Sequence, residues 1–158
     1  MNQLDIQQKK IPEYQLDQFK ELVSQLFQCC QDRIQYQSER FDLPDAELRC
    51  LLLFGHERYL TAKGIALQMN VVKSRVTKII DGLAKKGFVQ RTKDPGDSRV
   101  TLLNLTHKGQ KKLDEINLFL DDLHMEVLNR ISSEHRMAIL LNLDLLKTAM
   151  QSAKDMMD

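Results

Sequence analysis

Apolar residues recur at three- and four-residue steps through Phe19, Leu22, Val23, Leu26, Phe27, Cys30 and Ile34, which predicts a long amphipathic helix over 12–38 with glutamine on much of its other face. A second, shorter helix is predicted from Pro44, which suits a first helical position, to near Gly55, with Asp45 and Glu47 beside its positive end. Thr61 can then cap a third helix through its hydroxyl, with Ile65, Ala66 and Met69 at helical spacing. Asn70, which tolerates left-handed backbone, can end it. From about Val72 to Lys86 the apolar positions Val76, Ile79, Ile80 and Leu83 share one helical face. Lys73, Ser74, Arg75, Thr77 and Lys78 are left outside, and Gly87 supplies the stop. The pattern then changes period: Phe88, Val89 and Gln90 begin a strand, Asp94-Pro95-Gly96-Asp97 is turn chemistry, and Val100 to Leu105 return. After Thr106, another potential cap, Leu113, Ile116, Leu120, Leu123, Val127 and Ile131 trace a stripe of about five turns. Ser132 or Ser133 opens a last helix carrying Met137, Leu140, Leu141, Leu145, Ala149 and Met150. Residues 1–11, rich in Gln and Lys without an apolar period, are expected to form a loose arm.

These elements predict a mainly α chain with a small β-wing. Two short helices joined by a tight turn and followed by a β-ribbon have the form of a winged helix-turn-helix, whose second helix enters the major groove. The chain, at 158 residues, is about one domain long. The long apolar stripes at its two ends need partners that a small winged core does not supply. Self-association is the simplest solution, an intramolecular helical bundle the other. Net charge is only +1, which by itself says nothing about nucleic acid, but the charge is unevenly placed. Thr61 to Lys112 carries 12 Lys or Arg against 3 Asp, giving +9, whereas the remaining 11 basic and 19 acidic residues give −8.

Three ordered motifs sharpen this reading: Leu83-Ala84-Lys85-Lys86-Gly87-Phe88-Val89, then Asp94-Pro95-Gly96-Asp97-Ser98-Arg99, then Leu105-Thr106-His107-Lys108-Gly109. Together they resemble the wing and flanks of MarR-type transcriptional regulators. The resemblance implies a winged DNA-binding region over 44–106, dimerisation helices over 12–38 and 107–155, and a third short strand at Arg58, Tyr59 and Leu60. It further implies a homodimer on a pseudo-palindromic double-stranded operator, repression, and release by a small aromatic or phenolic effector bound between the dimerisation helices and the winged unit. Ser74, Arg75, Thr77 and Lys78 are the expected groove and phosphate contacts, and Lys73 and Arg91 the expected backbone contacts. Asp97 and Arg99, two residues apart on the returning strand, are placed to pair so that the arginine is aimed at the minor groove. The chain departs from the family pattern at Val72, where a capping Ser, Thr or Asp is common, and at Asn70 and Pro44, where Gly and Thr are frequent. Ser98 replaces the first of two wing arginines.

Other chemistry finds little footing. Cys29, Cys30 and Cys50 are odd in number, and together with the lack of a leader or long apolar span they lead to the expectation of a reducing cytoplasm and no membrane. They are expected to be small core hydrophobes, with thiol-based redox sensing as the alternative. His56, His107, His124 and His135 lack metal-ligand spacing, so neither a metal site nor a cofactor is expected. There is no phosphate loop, nucleophile elbow or Cys-His constellation, which removes the usual grounds for an enzyme. A rival of another class is a protein-interaction module that keeps the winged fold without binding DNA.

Overall fold

The computed structural model describes residues 11–157, so the loose arm expected at the start of the chain lies, apart from Ile11, outside the described residues. The chain divides into two compact units that meet in sequence between Thr106 and His107. The first holds α1 (Glu13–Phe41), α2 (Asp45–Leu53), α3 (Ala62–Met69), α4 (Lys73–Lys85), β1 (Val89–Lys93) and β2 (Thr101–Leu105), and the second holds α5 (His107–Asn129) and α6 (Ser133–Asp155).

In the first unit, α2 packs on α1, α3 and α4, while α3 packs on α4 and β2. The core is drawn from each element's apolar positions: Leu48 and Leu51 of α2, Ile65 and Met69 of α3, and Val76, Ile79, Ile80 and Leu83 of α4 are buried, as are Val89 and Leu103 of the strands. Sequence punctuation falls where local chemistry requires it. Thr61 Oγ1 accepts the Gly64 N–H at 3.1 Å, and Asn70 takes the left-handed conformation (φ 53, ψ 51) that lets α3 stop and α4 start at a new angle. Gly87, at φ 77, allows the Phe88 N–H to reach back to the Leu83 carbonyl, closing α4. β1 and β2 pair antiparallel from Val89↔Leu105 to Lys93↔Thr101.

The structure differs from the sequence-based expectations in four places. α1 continues three residues past Ser38 because the stop is Asp42, in left-handed backbone (φ 51), while the Ser38 hydroxyl donates to the Leu43 carbonyl at 2.6 Å and fastens the turn. Pro44 is the cap of α2, one residue before its first helical position. The third strand at Arg58–Leu60 is reduced to a single bridge, in which Leu60 and Leu103 exchange N–H···O bonds of 2.9 and 2.8 Å. The cysteines divide: Cys50 is buried in α2 as expected, but Cys29 and Cys30 are exposed on α1, as are Phe19, Leu22, Leu26 and Phe27 of that helix's apolar stripe.

In the second unit, Arg136 Nε donates to the carbonyls of Leu128 (2.9 Å) and Ile131 (3.0 Å), placing a cation on the negative end of α5 and tying the turn into α6. Ser132 occupies the cap position of α6 without a side-chain cap bond, its hydroxyl instead hydrogen-bonded to His135 Nδ1 at 2.6 Å. α5 buries Leu113 and Ile116, whereas α6 buries no residue along its length. No described helix is long and apolar enough to cross a membrane.

Candidate nucleic-acid interface

α4 is divided lengthwise. Val76, Ile79, Ile80 and Leu83 turn into the core, and Lys73, Ser74, Arg75, Thr77 and Lys78 are exposed. Thr77 Oγ1 donates back to the Lys73 carbonyl at 3.2 Å, which occupies its proton and leaves its methyl and oxygen lone pairs outward. The side chains of Lys73, Ser74, Arg75 and Lys78 form no hydrogen bond or ion pair with another described residue. The first turn holds no carboxylate. A cationic, hydroxyl-bearing surface on the outside of a helix anchored by four aliphatic side chains can meet phosphates and base edges without disturbing the core.

The wing carries its own positioning device. Asp94 Oδ1 accepts the Gly96 N–H at 2.7 Å, and the Asp94 and Val100 amides bond across the tip to the Val100 and Asp97 carbonyls at 3.0 and 2.9 Å. Arg99 forms the expected pair with Asp97, but within this turn and ahead of β2 and not on the returning strand, because the Val100 N–H bends the chain back to the Asp97 carbonyl: Nε meets Oδ1 and Nη2 meets Oδ2, both at 3.0 Å, and the Arg99 backbone N–H adds a third bond to Oδ1. The Arg99 side-chain bonds, then its backbone bond, hold the Asp97 carboxyl below its ordinary pKa, and Asp97 in turn raises that of Arg99. The Arg99 side chain nevertheless stands 88% exposed, so the aspartate orients the cation without hiding it.

Arg91 also lies on the wing, exposed on β1, but it is not free: its guanidinium pairs with Asp81 of α4. Asp81 was missed in the sequence, although it is the one acidic residue within α4 and stands ten positions before Arg91. A second missed set lies beneath α4. Glu47 of α2 is buried and its Oε2 receives Lys86 Nζ at 2.8 Å, while Gly82 leaves room for the carboxylate. A Cβ on Gly82 would lie 2.1 Å from Glu47 Oε1. Cys50, one turn beyond Glu47, has its thiol pushed up to about 12 by burial and then by the nearby carboxylate, so it is neither a ready nucleophile nor a metal ligand. Among the described residues there is no cluster of three His, Cys, Asp or Glu able to hold a metal ion.

Comparison with known proteins finds likeness over this region and beyond it. The MarR family model matches residues 43–101. The HTH-type transcriptional repressor MdtR of Bacillus subtilis is 33% identical over 91 residues, which make up 58% of this chain and 59% of MdtR. Among solved structures, the YusO protein of Bacillus subtilis is 27% identical, covers 87% of this chain and 99% of its own, and superposes with a TM-score of 0.70. FabT of Streptococcus pneumoniae, solved in complex with DNA, superposes with a TM-score of 0.77 over 85% of this chain and 99% of its own, at 18% identity.

Proposed function

Because this chain belongs to the MarR family of winged helix-turn-helix transcriptional regulators, we propose that it works as a homodimeric, sequence-specific repressor that reads a pseudo-palindromic operator with α4 and the wing. The observation that carries this reading is the outer face of α4. Lys73, Ser74, Arg75 and Lys78 are presented together, their side chains without partners among the described residues, on a helix whose opposite face is locked into the core. Ser74, Arg75, Thr77 and Lys78 serve as groove and phosphate contacts, and Lys73 meets the backbone. Arg91 also meets a phosphate, exchanging Asp81 for it, and Arg99, aimed by Asp97, enters the minor groove. Within this reading 44–106 is the DNA-binding region, and 12–38 and 107–155 are the dimerisation helices.

Dimerisation is supported by the apolar surface each unit leaves uncovered. On α1, Phe19, Leu22, Leu26 and Phe27 are exposed, and on α6 Leu140, Leu141 and Leu145 are exposed beside a groove lined by Leu143, Leu146, Met150 and Met157. Helix faces this apolar are normally covered. Two winged units about a two-fold axis would then present their α4 helices to successive major grooves, about 34–36 Å apart. Repression is supported by the name of the relative MdtR. Release follows from a small aromatic or phenolic effector that alters the spacing of the two winged units. Work on DNA, together with unpaired thiols, supports a cytoplasmic location.

A second route to release is favoured by one observation: Cys29 is exposed on α1 outside the apolar stripe assigned to dimerisation, where an oxidant can reach it, whereas Cys30 lies on that stripe. A triple Cys→Ser variant that keeps operator binding and effector release, but no longer responds to peroxide when the native chain does, would assign release to the thiols.

The test of DNA reading is a mobility-shift assay on fragmented genomic DNA. Retention of a small set of fragments that survives added salt is expected. Absence of sequence-selective retention at any salt would instead favour an interaction module that uses the winged fold without DNA.

A further inference from the structure

Two valines stand side by side in the turn between α3 and α4, and the fold treats them differently. Val71 is half-buried and its N–H donates to the Ala66 carbonyl at 3.1 Å. Val72 is turned outward, 70% exposed, with extended backbone (φ −71, ψ 152), and it occupies the cap position of α4. A Ser, Thr, Asp or Asn there would accept an N–H from the first turn, but valine has no acceptor, and α4 has no side-chain cap bond. The isopropyl group therefore serves neither the helix end nor the core. It is an aliphatic group set directly before the exposed Lys73, Ser74 and Arg75, at the leading end of the helix that carries the candidate DNA contacts.

A recognition helix contacts base edges with its N-terminal residues. The edges exposed in the major groove are hydrogen-bonding groups with one apolar exception, the C5-methyl of thymine. We propose that Val72 packs against a thymine methyl and so selects a T·A pair at one position of each half-site. This rests on the DNA-reading function proposed above and adds to it the base chemistry that one residue recognises. The contact is apolar and uncharged, so it adds discrimination between bases without adding to the salt-dependent phosphate attraction supplied by its cationic neighbours. Thr77 also presents a methyl on the outer face of α4, and it is the competitor the test must separate.

The experiment uses the full chain and an operator recovered from a random DNA pool. Thymines in the two half-sites are replaced in symmetric pairs by deoxyuridine, which removes the methyl and leaves the hydrogen-bonding edge intact, and affinity is read by fluorescence anisotropy. One pair is expected at which the native chain binds about fifteenfold more weakly, each buried methyl being worth about fourfold. Val72→Ser is expected to bind the thymine and deoxyuridine operators equally at that pair, with an unchanged salt slope. Its thermal midpoint is expected to be no lower than native, because serine restores the cap. The proposal is overturned if no pair is sensitive in the native chain, or if Val72→Ser keeps the full sensitivity, which would move the contact to Thr77 or to DNA shape. A native chain that recovers no sequence from the pool overturns the DNA reading itself, and this inference with it.

Discussion

Gly82 sits in the interior of α4, where alanine would ordinarily be the better residue by about 1 kcal/mol. Its neighbour across the helix interface reverses that expectation. An added Cβ would lie 2.1 Å from Glu47 Oε1 and 2.9 Å from its Cδ, so the carboxylate has to move, and the move is expected to break its bond to Lys86. The Glu47 side chain is only 11% exposed and that of Lys86 is 34% exposed, which places the pair between a surface ion pair and a buried one. A hydrogen bond to a charged group is worth about 1.5–3 kcal/mol, and setting the helix gain against it leaves Gly82→Ala destabilising by about 0.5–2 kcal/mol. In a Glu47→Ala chain the obstruction and the pair are both gone, so the same Gly82→Ala change is expected to stabilise by up to about 1 kcal/mol. The opposite signs in the two backgrounds are the signature of coupling. Urea unfolding of the four chains at one fixed concentration reads it, because an associating protein's midpoint moves with concentration. Gly82→Ala raising stability equally in both backgrounds would show that Glu47 and Gly82 are not coupled.

Three further expectations follow from the interface. Arg75→Ala is expected to weaken operator binding with a thermal midpoint within a degree or two of native, whereas Ile79→Asp, which buries an unpaired charge, unfolds the winged unit; equal thermal losses would show the two faces of α4 are misassigned. Arg99→Ala is expected to weaken binding and lower the slope of log affinity against log salt by about one unit. Asp97→Ala weakens it less and the double variant adds little; additive losses would mean the two act independently. The Cys50 pKa is raised from 9.0 to about 12, so protonation of this thiol favours the fold fully below pH 9, and that contribution is lost as pH rises toward about 12. Iodoacetamide at pH 8 is therefore expected to leave Cys50 unmodified in the native chain, and peptide mass spectrometry showing modification as fast as in urea would contradict this.

The parts of the fold legible in the sequence are those governed by local chemistry. The cap at Thr61, the left-handed Asn70 and Gly87, the apolar face of α4 and the Asp94–Asp97 turn each depend on residues within a few positions of one another. The Asp97–Arg99 pair was legible for the same reason. Hidden from it were contacts between residues distant in the chain. Glu47 and Lys86 are 39 positions apart, and nothing local marks Gly82 as the space that lets them meet. Arg91 reads as a free cation until the packing of α4 on β1 puts Asp81 beside it. The cysteines failed differently. The period of α1 says which face is apolar and not whether the same chain covers it, so it points Cys30 toward a core, as the usual burial of free thiols points Cys29, whereas both are exposed among the described residues.

The most direct test of the central claim is to let the full chain select from a random pool of double-stranded DNA and to sequence what it retains. One enriched motif is expected, made of two inverted half-sites whose centres lie about 10–10.5 base pairs apart, the separation of successive major grooves on one side of the duplex. Enrichment is expected to vanish when Arg75→Ala and Lys78→Ala are combined. Recovery of unenriched sequence, or of a single half-site with no inverted partner at any spacing, would contradict the central claim.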